Sequence, residues 1–295
     1  MAGNDEYHLE WKTCIVEGRK AAYGEAGAGE PLLFLHGWGL GQHSYKRAMK
    51  RLLRLDVRVI APALPGFGGT EDLPKESFSM EGYGDWVASF LHAIGVVDPV
   101  MVVGHSFGGG VAISFAHRHT YSVRLLVLVN SIGGSVWAQK DSVVKSMKER
   151  PLWDWGIHFP ADVLPVRQIT KVLPVILEDA IPNLLRNPMA LWKVGNLARQ
   201  ADLRKELQEL RDKNVPLVIL WGKGDRIITQ EAFEDLCRAA KIEGDVVSGG
   251  HTWLLADPDA FGEVMTNVVA VARVANRIKP SSQKAKTGAA STSSM

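Results

Sequence analysis

The strongest structural signal in the chain is the stretch Val100-Met-Val-Val-Gly-His-Ser-Phe-Gly-Gly-Gly110. Its first four residues are apolar and mostly β-branched, which is typical of a strand buried on both faces of a sheet. The small residues from Phe107 to His117 predict a helix directly after it. Ser106 therefore stands where a strand turns sharply into a helix.

A serine at such a turn is held in a strained backbone conformation with its side chain clear of the sheet, so its neighbours must be small. Gly104 and Gly108 supply that room and complete the pattern G-x-S-x-G. The unpaired N–H groups and positive dipole end of the following helix suit a developing oxyanion. Together these features indicate a nucleophile elbow, with Ser106 as the candidate nucleophile. The alternative is a glycine-rich turn with an ordinary capping serine.

Length and composition favour one large α/β domain with an insertion. The chain has 295 residues, of which 46% are hydrophobic, enough for a sizeable core. The formal net charge is only +2, and Lys and Arg are scattered among Asp and Glu. We therefore expect neither nucleic acid nor an acidic membrane surface as a partner, and we expect a small substrate.

The cysteines and the hydropathy of the chain indicate the cellular setting in which we expect the protein to work. Cys14 and Cys237 form no ligand cluster and no disulfide framework, so we expect reduced thiols. No spacing of His, Cys or carboxylate residues predicts a metal site, and we expect no cofactor. The segment 1–10 lacks a secretory pattern, and no apolar run has the length of a membrane span. A cytoplasmic protein without stable membrane insertion is the expectation, and the sequence indicates no particular oligomeric state.

Strands and helices alternate along most of the chain, which predicts a mostly parallel, doubly wound sheet flanked by helices. The alternation stops after Asn130, and residues 135–201 contain short amphipathic segments separated by six prolines. We interpret 135–201 as an inserted helical cap, and 1–134 with 202–278 as the core. Residues 279–295 have no apolar periodicity, so we expect a disordered tail.

A serine hydroxyl is a weak nucleophile near neutral pH and needs a base that is oriented by a third group. Asp225 follows the predicted strand Leu217 to Trp221, and His251 follows the last short strand. Loops after parallel strands converge at the carboxyl edge of the sheet, where Ser106 is also expected. Asp225 and His251 are therefore the candidate acid and base.

Five motifs fall in a recognisable order: His36-Gly-Trp-Gly39, Pro65-Gly-Phe-Gly68, Gly104-His-Ser-Phe-Gly108, Gly222-Lys-Gly-Asp225 and Gly250-His251. In this order the chain resembles the α/β-hydrolase superfamily, whose catalytic residues run Ser, then Asp or Glu, then His. The resemblance covers essentially everything before the tail.

The resemblance implies a role for each matching residue. Ser106 would attack a carbonyl, His251 would take and return its proton, and Asp225 would fix the imidazole tautomer. The backbone N–H groups of Trp38 and Phe107 would form the oxyanion hole. It also implies the α/β-hydrolase fold with a cap and no cofactor.

Other residues have simpler interpretations. Asp257 and Asp259 follow the candidate base in the chain and are read as caps of the last helix. The family's other position for the acid, after the strand ending near Asn130, holds Asn130 and Ser131 instead. His36 is interpreted as a structural hydrogen-bonding residue.

Aromatic residues around the predicted site suggest an apolar substrate. Trp38 and Trp253 flank the catalytic loops, and Trp137 lies in the predicted cap, so these three are the candidate substrate-binding residues. The alternative is that most aromatic residues of this region form the cap's own small core.

The resulting hypothesis is a serine hydrolase, esterase- or lipase-like, that cleaves carboxylic esters with an apolar acyl or alcohol part through an acyl-enzyme. One alternative is a carbon-carbon bond hydrolase of vinylogous diketones from aromatic-ring breakdown. The His105 that precedes the nucleophile argues mildly against it, since Asn is frequent there in that family. Another is a hydrolase-fold receptor for a small ligand.

Overall fold

The computed structural model describes residues 8–134 and 166–278, and they build an eight-stranded sheet between layers of helices. The predicted α/β architecture is confirmed. The strands are β1 Glu10–Val16, β2 Arg19–Ala26, β3 Glu30–Leu35, β4 Val57–Pro62, β5 Val100–His105, β6 Val123–Val129, β7 Leu217–Gly222 and β8 Asp245–Val247.

The sheet order is β1-β2-β4-β3-β5-β6-β7-β8. β1 and β2 form a hairpin around Gly18, and β2 also pairs antiparallel with β4. Every other pair is parallel. The strand of the elbow, β5, lies in the middle of the sheet between β3 and β6, so the loops that follow these three strands meet at one edge.

The helices pack on both faces of this sheet. They are α1 Lys46–Leu52, α2 Met80–Ala93, α3 Phe107–Arg118, α4 Val166–Arg186, α5 Pro188–Gln200, α6 Arg204–Asp212, α7 Gln230–Ala240, α8 Trp253–Ala256 and α9 Pro258–Ile278. The buried residues form two clusters. One includes side chains of α2, α3, α6 and α7, and the other those of α1, α8 and α9.

The side chains of the central strands belong alternately to the two clusters. Val100 and Val102 of β5 belong to the first cluster, whereas Met101 and Val103 belong to the second. Successive side chains of a strand point to opposite faces, so a strand covered by helices on both sides must be apolar at every position. This is the reason for the continuous apolar run before Ser106.

After β3 the sequence predicts one helix from about Ser44 to Leu53, and the structure winds this segment in two ways. A short 3-10 turn, Gln42–Tyr45, comes first, and α1 follows it without a break. The 3-10 turn directs Ser44 and Tyr45 to polar partners on two different elements. These contacts explain the tighter winding, because a uniform α-helix would place the two side chains elsewhere.

The two ends of the predicted insertion adjoin in space. Gly133 and Asp202 form an isolated parallel bridge, and the N–H of Leu203 donates to the carbonyl of Gly133 at 2.9 Å. The chain therefore leaves the core and returns to it at one place. Helices α4 and α5 belong to this inserted segment. Residues 135–165 and the tail 279–295 lie outside the described residues.

The prolines do not divide the inserted segment into short helices as predicted. Pro174 and Pro182 both lie inside α4, and the helix continues through them over 21 residues. A proline removes one backbone hydrogen bond and usually breaks a helix. Here Asp179 and Asn183 bond to the core and hold the same helix in place. Tertiary contacts thus override a local preference that the sequence expresses clearly.

Within residues 8–134 and 166–278, no helix combines the length and the apolar character needed to cross a bilayer. Cys14 in β1 and Cys237 in α7 are both free thiols.

Candidate active site

The turn at Ser106 has the geometry of a strained elbow. Ser106 adopts φ 55° and ψ −117°, which is unusual for a residue with a side chain. A Cβ atom at Gly104 would lie 2.5 Å from the carbonyl oxygen of Gly108, and one at Gly108 would lie 2.3 Å from that of Leu35. Both glycines are therefore required by close backbone contact.

His251 lies between Ser106 and Asp225. Its Nε2 is 3.0 Å from Oγ of Ser106, and its Nδ1 is 2.8 Å from Oδ2 of Asp225. All three residues are at least 92% buried. Since a carboxylate only accepts, Nδ1 carries the proton and Nε2 accepts from the serine hydroxyl. The arrangement can activate Ser106 as a nucleophile.

Asp225 is held by several donors. Its Oδ1 accepts from the N–H groups of Ile227 and Ile228 at 2.8 and 2.9 Å. Its Oδ2 accepts from His251 and also from the side-chain amide of Asn130. Hydrogen bonds to an ionised carboxylate stabilise the charge and fix its orientation. Asp225 is therefore well placed to orient the imidazole.

Asn130 is a part of the site that the sequence did not suggest. It follows β6, takes φ 46°, and donates to Asp225 while its Oδ1 accepts from Nε1 of Trp253 at 2.8 Å. Its position was noted only because an acid is missing there. The signal that could have found it is a polar residue at the carboxyl end of a central strand.

Trp253 is placed differently from the prediction. Its indole is 97% buried, packs against Phe261 and donates to Asn130, and it is not among the residues that line the cavity beside Ser106. The turn after His251 continues into α8, which directs the ring toward α9 and the core. We therefore correct the substrate-binding assignment of Trp253. Trp137 lies outside the described residues.

The loop after β3 passes directly over Ser106. A Cβ atom at Gly37 would lie 3.3 Å from Cβ of Ser106. The backbone N–H of Phe107 opens α3 and has no acceptor within the helix, and neither it nor that of Trp38 donates to another described residue. These two donors are thus without an acceptor among the described residues, as the predicted oxyanion hole requires.

Two buried histidines support this loop. Nε2 of His36 accepts from the N–H of Leu64 at 2.8 Å, as expected for a structural residue. Nδ1 of His105 accepts from the hydroxyl of Tyr45 at 2.8 Å, and its Nε2 donates to the carbonyl of His251 at 2.9 Å. Burial lowers the pKa of His36 to about 4 and, with the nearby His251, that of His105 to about 3. Both rings are neutral at pH 7.

Asp257 and Asp259 are not part of the site. Oδ1 of Asp257 accepts from the N–H of Ala260 and caps α9, as predicted. Asp259 pairs with Arg51 of α1 instead.

A cavity of about 480 Å³ opens beside Ser106 and His251. Both the core and the two helices α4 and α5 contribute to its wall. None of the described lining residues is a Lys, Arg, Asp or Glu. Its apolar lining includes the side chains of Trp38, Phe107, Ile132, Leu184, Leu191 and Ile227.

Trp38 occupies the predicted place at this cavity, and its Nε1 donates to the carbonyl of Leu191 at 2.8 Å. Across residues 8–134 and 166–278, no group of His, Cys, Asp and Glu is arranged to hold a metal ion.

Comparison with known proteins identifies the family. A sequence model described as the alpha/beta hydrolase family matches residues 32–264, which is most of the chain and includes Ser106, Asp225 and His251. The chain is an α/β hydrolase. The resemblance seen in the ordered motifs is thereby confirmed.

Relatives of this α/β hydrolase carry different names. It is 29% identical over 218 residues to a 2-hydroxy-6-oxo-2,4-heptadienoate hydrolase of Pseudomonas putida, with 70% of this chain and 76% of the relative covered. It is 25% identical over 233 residues to Lipase 1 of Psychrobacter immobilis, with 74% and 69% covered. Among solved structures, a thermophilic esterase from Thermogutta terrifontis superposes on it with a TM-score of 0.68 at 20% identity, covering 89% of this chain and 99% of the esterase. The last likeness concerns the fold alone.

Proposed function

We propose that this α/β hydrolase cleaves carboxylic esters with an apolar acyl or alcohol part, through an acyl-enzyme on Ser106. The observation that carries the proposal is the hydrogen-bonded series Ser106, His251 and Asp225, of which Ser106 and His251 line an apolar cavity. A hydroxyl activated by a neutral histidine is suited to attack on a polarised carbonyl carbon.

In the first half-reaction, Oγ of Ser106 bonds to the ester carbonyl carbon and His251 takes the hydroxyl proton. The tetrahedral oxyanion is stabilised by the backbone N–H groups of Trp38 and Phe107. The bond to the alkoxy group then breaks, and His251 passes the proton to the departing alcohol. In the second half-reaction, water attacks the acyl-enzyme by the same route, and the acid is released.

The cavity supports an uncharged substrate. Its described lining is largely apolar and contains no ionic side chain that could pair with a substrate charge. Burial of apolar groups contributes roughly 25 cal/mol per Å² of contact, so this wall favours hydrocarbon chains or rings over charged groups. The polar residues of the lining include Ser106 and His251, the proposed nucleophile and base.

The test is hydrolysis of a graded series of p-nitrophenyl esters, from short to long acyl chains, by the wild type and by Ser106→Ala. We expect turnover that depends on Ser106 and passes through a chain-length optimum. Undiminished turnover in Ser106→Ala would disprove the nucleophile. Absence of turnover on every ester in the wild type would contradict the ester hydrolase itself.

A second candidate is hydrolysis of a carbon-carbon bond in a vinylogous diketone. It is favoured by the 29% identity to the heptadienoate hydrolase. A dienoate carries a carboxylate, however, and none of the described residues of the cavity lining is a Lys or Arg that could pair with it. Cleavage of a 2-hydroxy-6-oxo-dienoate, with p-nitrophenyl esters left intact, would favour this second candidate.

A further inference from the structure

A buried carboxylate connects the inserted segment, to which α4 and α5 belong, to the core beside the active site. Asp179 lies in α4 and is only 6% exposed. Its Oδ2 accepts from the N–H of Gly41 at 3.1 Å and from both the N–H and the hydroxyl of Ser44 at 2.7 Å. Nδ1 of His43 is 3.5 Å from the other oxygen. One side chain of α4 thus contacts three residues of a single core loop, Gly41, His43 and Ser44.

The donors belong to the far end of the loop that crosses Ser106. This loop starts at Gly37, whose N–H donates to the hydroxyl of Tyr45 at 3.0 Å. Tyr45 follows Ser44 directly and is itself bound to His105 of the elbow. The loop is therefore held between α4 on one side and the elbow on the other, with Trp38 inside the held segment.

A second contact acts one helical turn further on. Asn183 lies four residues after Asp179, on the same face of α4. Its Nδ2 donates to the carbonyl of Gly39 at 3.2 Å, and its Oδ1 accepts from the N–H of Gly68 at 2.9 Å. Gly39 is the residue after Trp38. The contacts made by α4 thus fix the residues that follow Trp38, from Gly39 to Ser44, and with them the position of the Trp38 N–H.

The carboxylate at 179 is ionised in this setting. Burial alone disfavours the charge, but the hydrogen bonds from His43 and Ser44 outweigh it and keep the pKa of Asp179 below its ordinary value. A buried charge with several donors binds them more strongly than a neutral acceptor does. The neighbouring Glu178 differs, since it forms an exposed ion pair with Lys46.

We propose that Asp179 is a positioning residue for the oxyanion loop, so that stabilisation of the transition state at Ser106 depends on the docking of α4. Asp179 is not among the residues that line the cavity. It acts through Gly41 and Ser44 on the direction of the Trp38 N–H. The proposal rests on the proposed function, because it assigns that N–H to the oxyanion hole.

The experiment compares wild type, Asp179→Asn and the control Glu178→Gln, which changes an exposed carboxylate of the same helix. With a p-nitrophenyl ester, Asp179→Asn should lower kcat about 10-fold or more and leave KM within about twofold, because the donor acts mainly in the transition state. Glu178→Gln should stay within about twofold of wild type in both constants.

A second readout does not depend on the natural substrate. An alkyl fluorophosphonate reacts with Ser106 as Oγ bonds to phosphorus, fluoride leaves and His251 takes the hydroxyl proton, while the phosphoryl oxygen uses the same backbone donors. The reaction rate of Asp179→Asn with this reagent should be lower than that of the wild type by about 10-fold or more. A wild type that does not react at all would disprove the proposed function. A wild type and an Asp179→Asn variant that react equally fast would overturn only the role of Asp179.

Two other results would also overturn the role of Asp179. One is a rise in KM at constant kcat, which would make α4 only a wall of the cavity. The other is an equal loss in Glu178→Gln. If circular dichroism and urea unfolding show that Asp179→Asn does not fold, Ser44→Ala decides by the same criteria, because it weakens the same contact from the core side and leaves α4 unchanged.

Discussion

The side-chain amide of Asn130 donates to Oδ2 of Asp225, the same oxygen that accepts from His251. The bond joins the end of β6 to the loop after β7, two neighbouring parallel strands. It orients the acid from the side opposite to the backbone donors of Ile227 and Ile228. In the proposed mechanism, Asn130 therefore helps Asp225 to keep the imidazole in its productive tautomer.

Removing this amide should slow the reaction without weakening substrate binding. We expect Asn130→Ala to lower kcat for a p-nitrophenyl ester by about 10-fold, since a hydrogen bond to a charged group is worth about 1.5–3 kcal/mol. KM should stay within about twofold, because Asn130 does not line the cavity. Steady-state kinetics checks this, and a kcat equal to that of the wild type would contradict the role.

Replacing the acid itself should have a much larger effect. Asp225→Asn presents an amide to Nδ1 of His251 and favours the wrong tautomer, so kcat should fall on the order of 10⁴-fold. The residual rate of Asp225→Asn should still exceed the rate measured for Ser106→Ala, which includes the uncatalysed background. Single-turnover measurement of the acylation step checks it, and a near-wild-type rate would redirect the assignment to another carboxylate.

The two tryptophans near the site should behave differently. Trp38→Leu changes the wall of the cavity and removes the bond to Leu191, so it should raise KM for long acyl chains. Trp253→Phe removes the bond to Asn130 and some buried packing, and it should lower kcat severalfold with the chain-length preference unchanged. The full ester series measures both effects. A shifted preference in Trp253→Phe would restore it as a substrate-binding residue.

Close packing at the elbow predicts an asymmetry between two glycines. In Gly108→Ala the added Cβ meets the carbonyl oxygens of Leu35 and His36 at 2.3 and 2.6 Å, so the backbone must shift. We expect a loss of more than about 3 kcal/mol in the free energy of unfolding. Gly95→Ala meets nothing within 4 Å and suffers only its positive φ of 74°, which costs about 1 kcal/mol. Urea unfolding of both variants measures the difference.

The two neutral histidines predict a loss of stability in mild acid. His36 and His105 have folded pKa values of about 4 and about 3, below the ordinary 6.5. The unfolded chain therefore binds more protons as the pH falls below 6.5, and stability is complete above that value and declines below it. Between pH 7 and pH 5 each should cost about 2 kcal/mol.

Urea unfolding at pH 7 and pH 5 checks this decline. The window lies above the range in which ordinary carboxylates titrate, so it isolates histidine effects. His36→Asn should reduce the drop between the two pH values, although it lowers stability at pH 7. The control His92→Asn, at an exposed position of α2, should leave the drop unchanged. An identical drop in wild type and His36→Asn would refute the explanation.

Much of this molecule can be predicted from local patterns. The apolar run before Ser106 and the order of the serine, aspartate and histidine loops follow from short-range preferences and from the convergence of parallel strands at one edge. Each of these signals is carried by residues close together in the chain. The fold and the meeting of the three candidate residues could therefore be derived without coordinates.

Other features depend on contacts between distant segments, and no local signal distinguishes them. In the sequence, Asn130 is notable only because an acid is missing at its position. Asp179 and Asn183 are polar residues in a region interrupted by prolines. Trp253 is a residue beside a predicted catalytic loop. Their partners lie between 95 and 144 positions away in the chain. Which polar atom meets which is determined by strand register and helix docking, because hydrogen bonds require matching positions within a few tenths of an ångström. Only the packed structure supplies those positions.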